Sequence, residues 1–157
     1  MSHHIERRHL AYTTEQLFDL VADVERYPDF LQWFVAARVR HRNGNVLDVD
    51  QVVRFAGLTA RFATRAVLDR PRRIAIAASD PPPPFRLLDQ CWTFTPASDG
   101  STTVRYEISV ELRSTLLQRL IRPLLDERQI AEATVNAFRR RAEQIYGPPR
   151  PRKVEIR

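Results

Sequence analysis

Residues 104–113 read Val-Arg-Tyr-Glu-Ile-Ser-Val-Glu-Leu-Arg. Val104, Tyr106, Ile108, Val110 and Leu112 take every second position, with Arg105, Glu107, Ser109, Glu111 and Arg113 between them. Successive side chains of a strand point to opposite faces, so this alternation predicts a half-buried β-strand. From Ser114 the repeat lengthens to that of a helix, through Leu117, Leu120, Leu124, Ala131, Val135, Phe138, Ala142 and Ile145, and stops at Gly147 and Pro148. The spacing predicts a long C-terminal helix with one apolar stripe. Pro123 removes the hydrogen bond to the carbonyl of residue 119, which predicts a kink or a split into a short and a long piece.

Reading backwards from that strand, the period of two persists. Trp92 and Phe94 share the inner face of the preceding strand, which ends at Pro96 and the turn at 98–101. Pro81 to Pro84 cannot donate ladder hydrogen bonds and form a stiff loop. Ile74, Ile76 and Ala78 continue the inner face, and Pro71 separates them from Phe62, Ala66 and Leu68, which alternate with Arg61 and Arg65. Gly57 marks a reversal before Leu47, Val49, Val53 and Phe55, and Asn43-Gly44-Asn45 is a strong hairpin signal. Val35, Ala37 and Val39 then face inward against Arg38, Arg40 and Arg42. Further upstream Thr13 and Gln16 form a capping box, with Tyr12 and Leu17 at staple positions, so a helix is expected over 13–24. Pro28 stops or bends the chain before a short second helical turn through Phe30. The order is strand, two helices, about six antiparallel strands and one long helix. A curved sheet with one apolar face needs a cover, and only the long helix is large enough to supply it. The expected class is α+β, a helix-grip fold in which a curved antiparallel sheet of six to seven strands wraps around the C-terminal helix.

With 157 residues, one domain over 1–147 is expected, followed by a proline-rich basic tail, 148–157, read as disordered. Apolar residues are 43% and charged residues 28%, the balance of a globular chain. No apolar run approaches the roughly 20 residues of a membrane span, and no secretory pattern opens the chain. Cys91 is the only cysteine, which leaves no intramolecular disulfide and no cysteine cluster for zinc. The net charge is +6 and 24 of the 25 basic residues are arginine. Nine arginines stand against three aspartates over residues 38–73, so a strongly basic surface is expected there.

Several stretches carry a family resemblance: Leu17-Phe-Asp-Leu-Val-Ala-Asp-Val-Glu-Arg-Tyr-Pro-Asp-Phe-Leu-Gln-Trp33, Phe62-Ala-Thr-Arg65, Pro84-Phe-Arg86, Trp92 with Phe94, and Ala142 with Tyr146-Gly147. Over residues 3–147 the chain resembles the coenzyme Q-binding branch of the polyketide cyclase/START-like superfamily. The ribosome-association toxins form a sister branch with nearly the same pattern. Two positions depart from it: Gln32 stands where the family usually has a second proline, and Pro81 to Pro84 replace its Gly-Pro-Phe. The resemblance implies ubiquinone, or a similar isoprenoid lipid, bound in a hydrophobic cavity for delivery to respiratory or biosynthetic enzymes. It implies no metal and no redox cofactor of the protein's own. The expected location is the cytoplasm, peripheral to the inner face of the inner membrane. The alternative implied by the sister branch is a protein that binds the large ribosomal subunit.

The residues expected to line the ligand site are Phe30, Trp33, Val53, Phe55, Phe62, Ile76, Trp92, Phe94, Tyr106, Ile108, Leu120, Leu124, Val135 and Phe138. Burial of each methylene equivalent of an isoprenoid tail is worth about 0.8 kcal/mol, so a few units outweigh any single hydrogen bond to a ring. Tyr106 and Gln90 are the polar candidates for a headgroup, set against a tyrosine whose hydroxyl simply reaches solvent. No catalytic or metal residues are assigned. His3 and His9 alternate away from His4, and Asp23 with Glu25 suit solvation or a backbone hydrogen bond better than acid/base work. Arg38, Arg40, Arg54, Arg61 and Arg65 have three readings: a solvated face paired to Asp48 and Asp50, a contact with anionic membrane, or a contact with ribosomal RNA. RNA readers interleave exposed aromatics with arginine, whereas the aromatics here alternate inward.

Overall fold

A computed structural model of the chain describes residues 2–55, 57–121 and 126–149. In chain order the elements are β1 (Ser2–Leu10), α1 (Thr14–Ala22), a 3-10 helix (Val24–Asp29), β2 (Phe34–Asn43), β3 (Val46–Phe55), β4 (Leu58–Asp69), β5 (Arg73–Ala78), β6 (Phe85–Pro96), β7 (Thr102–Leu112), α2 (Thr115–Ile121) and α3 (Glu127–Tyr146). The strands make one seven-stranded antiparallel sheet in the order β1-β7-β6-β5-β4-β3-β2. The sheet curves around the C-terminal helix, as the alternation of apolar residues requires.

Local chemistry sets the boundaries. Thr13 accepts from the Gln16 amide while the Gln16 side chain accepts from the Thr13 amide, so the capping box starts α1 as expected. The chain then tightens into the 3-10 helix instead of running on to residue 24, and Pro28 is tolerated inside that helix. Gly44, at φ +59°, makes the two-residue turn between β2 and β3. At the far end Gly147, at φ +86°, ends α3 and donates to the Glu143 carbonyl.

Two expectations need correction. Val35 does not share the inner face of Ala37 and Val39: the register shifts between Phe34 and Ala36, leaving Val35 49% exposed while Phe34 packs on the core. Ile145 falls off the apolar stripe of α3 and is exposed, whereas Ala142 is fully buried. The expected division of the C-terminal helix into a short and a long piece is present as α2 and α3; Pro123 and Leu124 lie outside the described residues, as does the tail beyond Pro149.

Candidate ligand site on the concave face

Register carries each inner side chain to its neighbours. Leu68, Ile74, Trp92 and Tyr106 form one row across β4 to β7, and Leu47, Ala66, Ile76, Gln90 and Ile108 form the next. Helix α1 lies against β5 and β6, and α3 against β1, β7 and α1. Under these helices the face is sealed. Trp92, Phe94, Tyr106, Ile108, Val135 and Phe138 are all at most 4% exposed. The Phe138 ring meets Trp92 and Phe30 at 5.0 Å and Tyr27 at 5.4 Å, all edge to face. What space remains between Leu17, Val21, Trp92, Phe94 and Phe138 is a crevice of about 10 Å³, enough for roughly one water.

The other half of the concave face opens. Along β3 the side chains pass from buried Leu47 and Val49 through half-buried Gln51 and Val53 to Phe55 at 37% exposure. Along β4 they pass from buried Ala66 back through half-buried Phe62 to exposed Leu58. Ile76 on β5 and Gln90 on β6 are likewise half-buried where Ile74 and Trp92 are covered. Because antiparallel neighbours run in opposite directions, these four strands open toward the same end. Phe30 and Trp33 pack on the core beside that surface, half-buried. Leu120 of α2 is 64% exposed, so it is not brought into the sealed half.

The polar groups of this face are few. Tyr106 does not reach solvent: it is 1% exposed and its hydroxyl donates to Gln90 Oε1 at 2.6 Å. Burial pushes its phenol pKa well above the ordinary range. Thr64 donates to Gln51 Oε1 at 3.5 Å. Neither Gln51 nor Thr64 was singled out from the sequence, although Gln51 is in phase with Val49 and Val53. The first strand was expected from the sequence but its partner was not: the register of β1 with β7 pairs His4 with Ile108, Glu6 with Tyr106 and Arg8 with Val104. These three charged side chains therefore share the concave side, where Glu6 accepts from His4 Nε2 at 3.2 Å and from Arg8 Nη1. His3 and His9 turn the other way, to Glu107 and Ser101. Glu25 accepts from the Val39 amide at 3.2 Å, the backbone role expected for it. Among the described residues no cluster of three histidine, cysteine or acidic side chains could hold a metal.

On the convex side the five arginines part company. Arg65 binds Asp48 at 2.9 Å, and that hydrogen bond holds the Asp48 carboxyl below its usual range. Arg40 lies 3.8 Å from Asp50. Among the described residues Arg38, Arg54 and Arg61 make no ion pair.

Residues 10–139 match the family described as polyketide cyclase / dehydrase and lipid transport. The chain belongs to this family. Among individual members it is 33% identical to the ribosome association toxin RatA of Pseudomonas aeruginosa, over 94% of this chain and 100% of that one. It is 27% identical to the coenzyme Q-binding protein COQ10 homolog B, mitochondrial, of Xenopus laevis, over 90% of this chain and 58% of that one. The crystal structure of the Zhui aromatase/cyclase from a Streptomyces superposes with a TM-score of 0.81 at 16% identity, covering 91% of this chain and 94% of that one, which shows the shared fold. Helix-grip architecture is thus established for this member of the family on both sequence and shape.

Proposed function

We propose that this protein binds an isoprenoid lipid of the ubiquinone class on the open half of its concave face, without chemistry, and delivers it to respiratory or biosynthetic enzymes. The observation that carries this reading is the gradient along β3 to β6, where an apolar, aromatic-lined surface passes from sealed to accessible toward one end. An apolar tail laid along Val53, Phe62 and Ile76 would take its affinity from burial. The family's description includes lipid transport, and the Xenopus relative is named for coenzyme Q binding. Arg54 and Arg61, which make no ion pair among the described residues, flank the open end and suit a reversible, peripheral contact with anionic membrane.

A second reading is favoured by a specific observation: the Pseudomonas relative, matched over its full length, is named for ribosome association. In that reading Arg38, Arg54 and Arg61 meet ribosomal phosphate instead of lipid headgroups. Two measurements separate the readings. The organic extract of the protein purified from its source membranes should contain an isoprenoid quinone by mass spectrometry, at a ratio approaching one per chain. Overproduction should leave the profile of joined ribosomes and free subunits unchanged. An extract free of lipid, together with a shift to free subunits that Arg54→Glu with Arg61→Glu abolishes, would reverse the ranking.

A further inference from the structure

Of the polar groups on the open half of the concave face, Gln90 is held by the shorter hydrogen bond, 2.6 Å from Tyr106 against 3.5 Å between Thr64 and Gln51. Gln90 sits where the sealed half gives way to the open one, between Ile76 and Ile108 across the sheet and next after Leu88 on the same face of β6. Its Oε1 is engaged by the hydroxyl of Tyr106 at 2.6 Å. Tyr106 is held by its surroundings, with its ring 4.5 Å from that of Trp92 and 1% of its surface exposed. With the amide oxygen engaged, the amide nitrogen carries two N–H donors and finds no acceptor among the described residues. The accessible polarity at this point is therefore donor only.

We infer that Gln90 is the headgroup-recognising residue of the concave face and that it selects lipids ending in a carbonyl over those ending in a hydroxyl. This rests on the reading that the concave face binds lipid. A carbonyl brings lone pairs and no proton, and so completes the amide. A hydroxyl also brings a proton, which must either share Gln90 Oε1 with the Tyr106 hydroxyl or go unmatched. A hydrocarbon end leaves the N–H donors dry and unpaired. Leaving one polar group unmatched in an apolar site corresponds to a loss on the order of tenfold in affinity. Tyr106 acts here as a positioning residue, because without its hydroxyl the amide is free to turn and present oxygen instead of nitrogen.

Titration calorimetry of the full chain with three probes of equal tail length tests this: a short-chain isoprenoid quinone, its quinol kept under argon, and the corresponding prenyl hydrocarbon. Wild type should bind the quinone about tenfold more tightly than either other probe. Gln90→Leu should bring the three affinities within about twofold of one another, with quinone binding weakened and hydrocarbon binding tightened as the unmatched donors disappear. Gln90→Glu, a conservative change in shape, should lose quinone binding selectively. In Tyr106→Phe the quinone to quinol ratio should fall toward one with hydrocarbon binding unchanged, a result that a purely structural role for the tyrosine does not produce. Equal binding of all three probes by wild type, or a preference that survives both Gln90 variants, overturns the assignment and leaves lipid binding standing. Failure of wild type to bind any probe overturns the lipid reading itself, and the assignment with it.

Discussion

Glu6 is half-buried at the margin of the concave face, where two neighbours favour its ionised form. Burial alone would raise its carboxyl pKa, but the hydrogen bonds from His4 and Arg8 outweigh that and hold it below the ordinary value. A carboxyl depressed in the folded state contributes stability that is present above its unfolded pKa, roughly 4.3, and is lost as pH falls through the folded value. Glu107, lowered by the hydrogen bond from His3, acts with the same sign. We therefore expect Glu6→Gln to shallow the acid side of the stability profile below about pH 4.5. Urea midpoints taken from pH 3 to pH 7 check this. An acid limb identical to that of wild type would move the effect to the other carboxylates. None of this was legible in the sequence, because His4, Glu6 and Arg8 look like a polar strand face and only the register with β7 places them beside Tyr106. The Thr13 and Gln16 capping box, by contrast, depends on four neighbouring residues and could be read directly.

At the scale of elements, Phe138 is the aromatic anchor of α3. Its ring contacts Tyr27, Phe30 and Trp92, thereby tying α3 to the 3-10 helix and to β6 at once. Phe138→Ala should cost about 3–5 kcal/mol, the range for removing a buried aromatic, whereas Phe138→Leu should cost less than half of that. Denaturant unfolding followed by far-UV circular dichroism distinguishes them. A loss under 1 kcal/mol for the alanine variant would mean that the helix is held elsewhere. Strands β3 to β7 were readable from alternation, since each buries one face, and so was the division of the C-terminal helix into two. The bulge at Val35 was not, because an extra residue changes the phase of a strand without changing its composition. The Pro81 to Pro84 loop was placed correctly, but its fastening was not foreseen: Arg113 donates to the carbonyls of Pro81 and Phe85, each at 2.9 Å. That clamp joins residues 28 and 32 positions apart and has no local signature.

For the molecule as a whole, the order of strands follows from short connections between sequential antiparallel neighbours, which made the topology legible except for the placement of β1 beside β7. The division of labour between faces was legible in part. Inner aromatics and outer arginines alternate visibly, but which half of the concave face is sealed depends on where α1 and α3 come to rest, and that is a property of three-dimensional packing. The sheet is also open, with β1 and β2 as its two edges. At β2 one edge amide, that of Val39, is taken by Glu25. Along β1 the His4, Glu6 and Arg8 side chains point inward, so a strand added from another chain would have to lie against their charge. Inward charge on an edge is a recognised guard against edge-to-edge growth. Replacing all three with valine should leave the fold intact yet produce concentration-dependent assembly in sedimentation velocity, where wild type keeps a constant profile over the same range. That outcome would give the charged ladder beside the apolar site a second task, guarding the open edge of the sheet against growth.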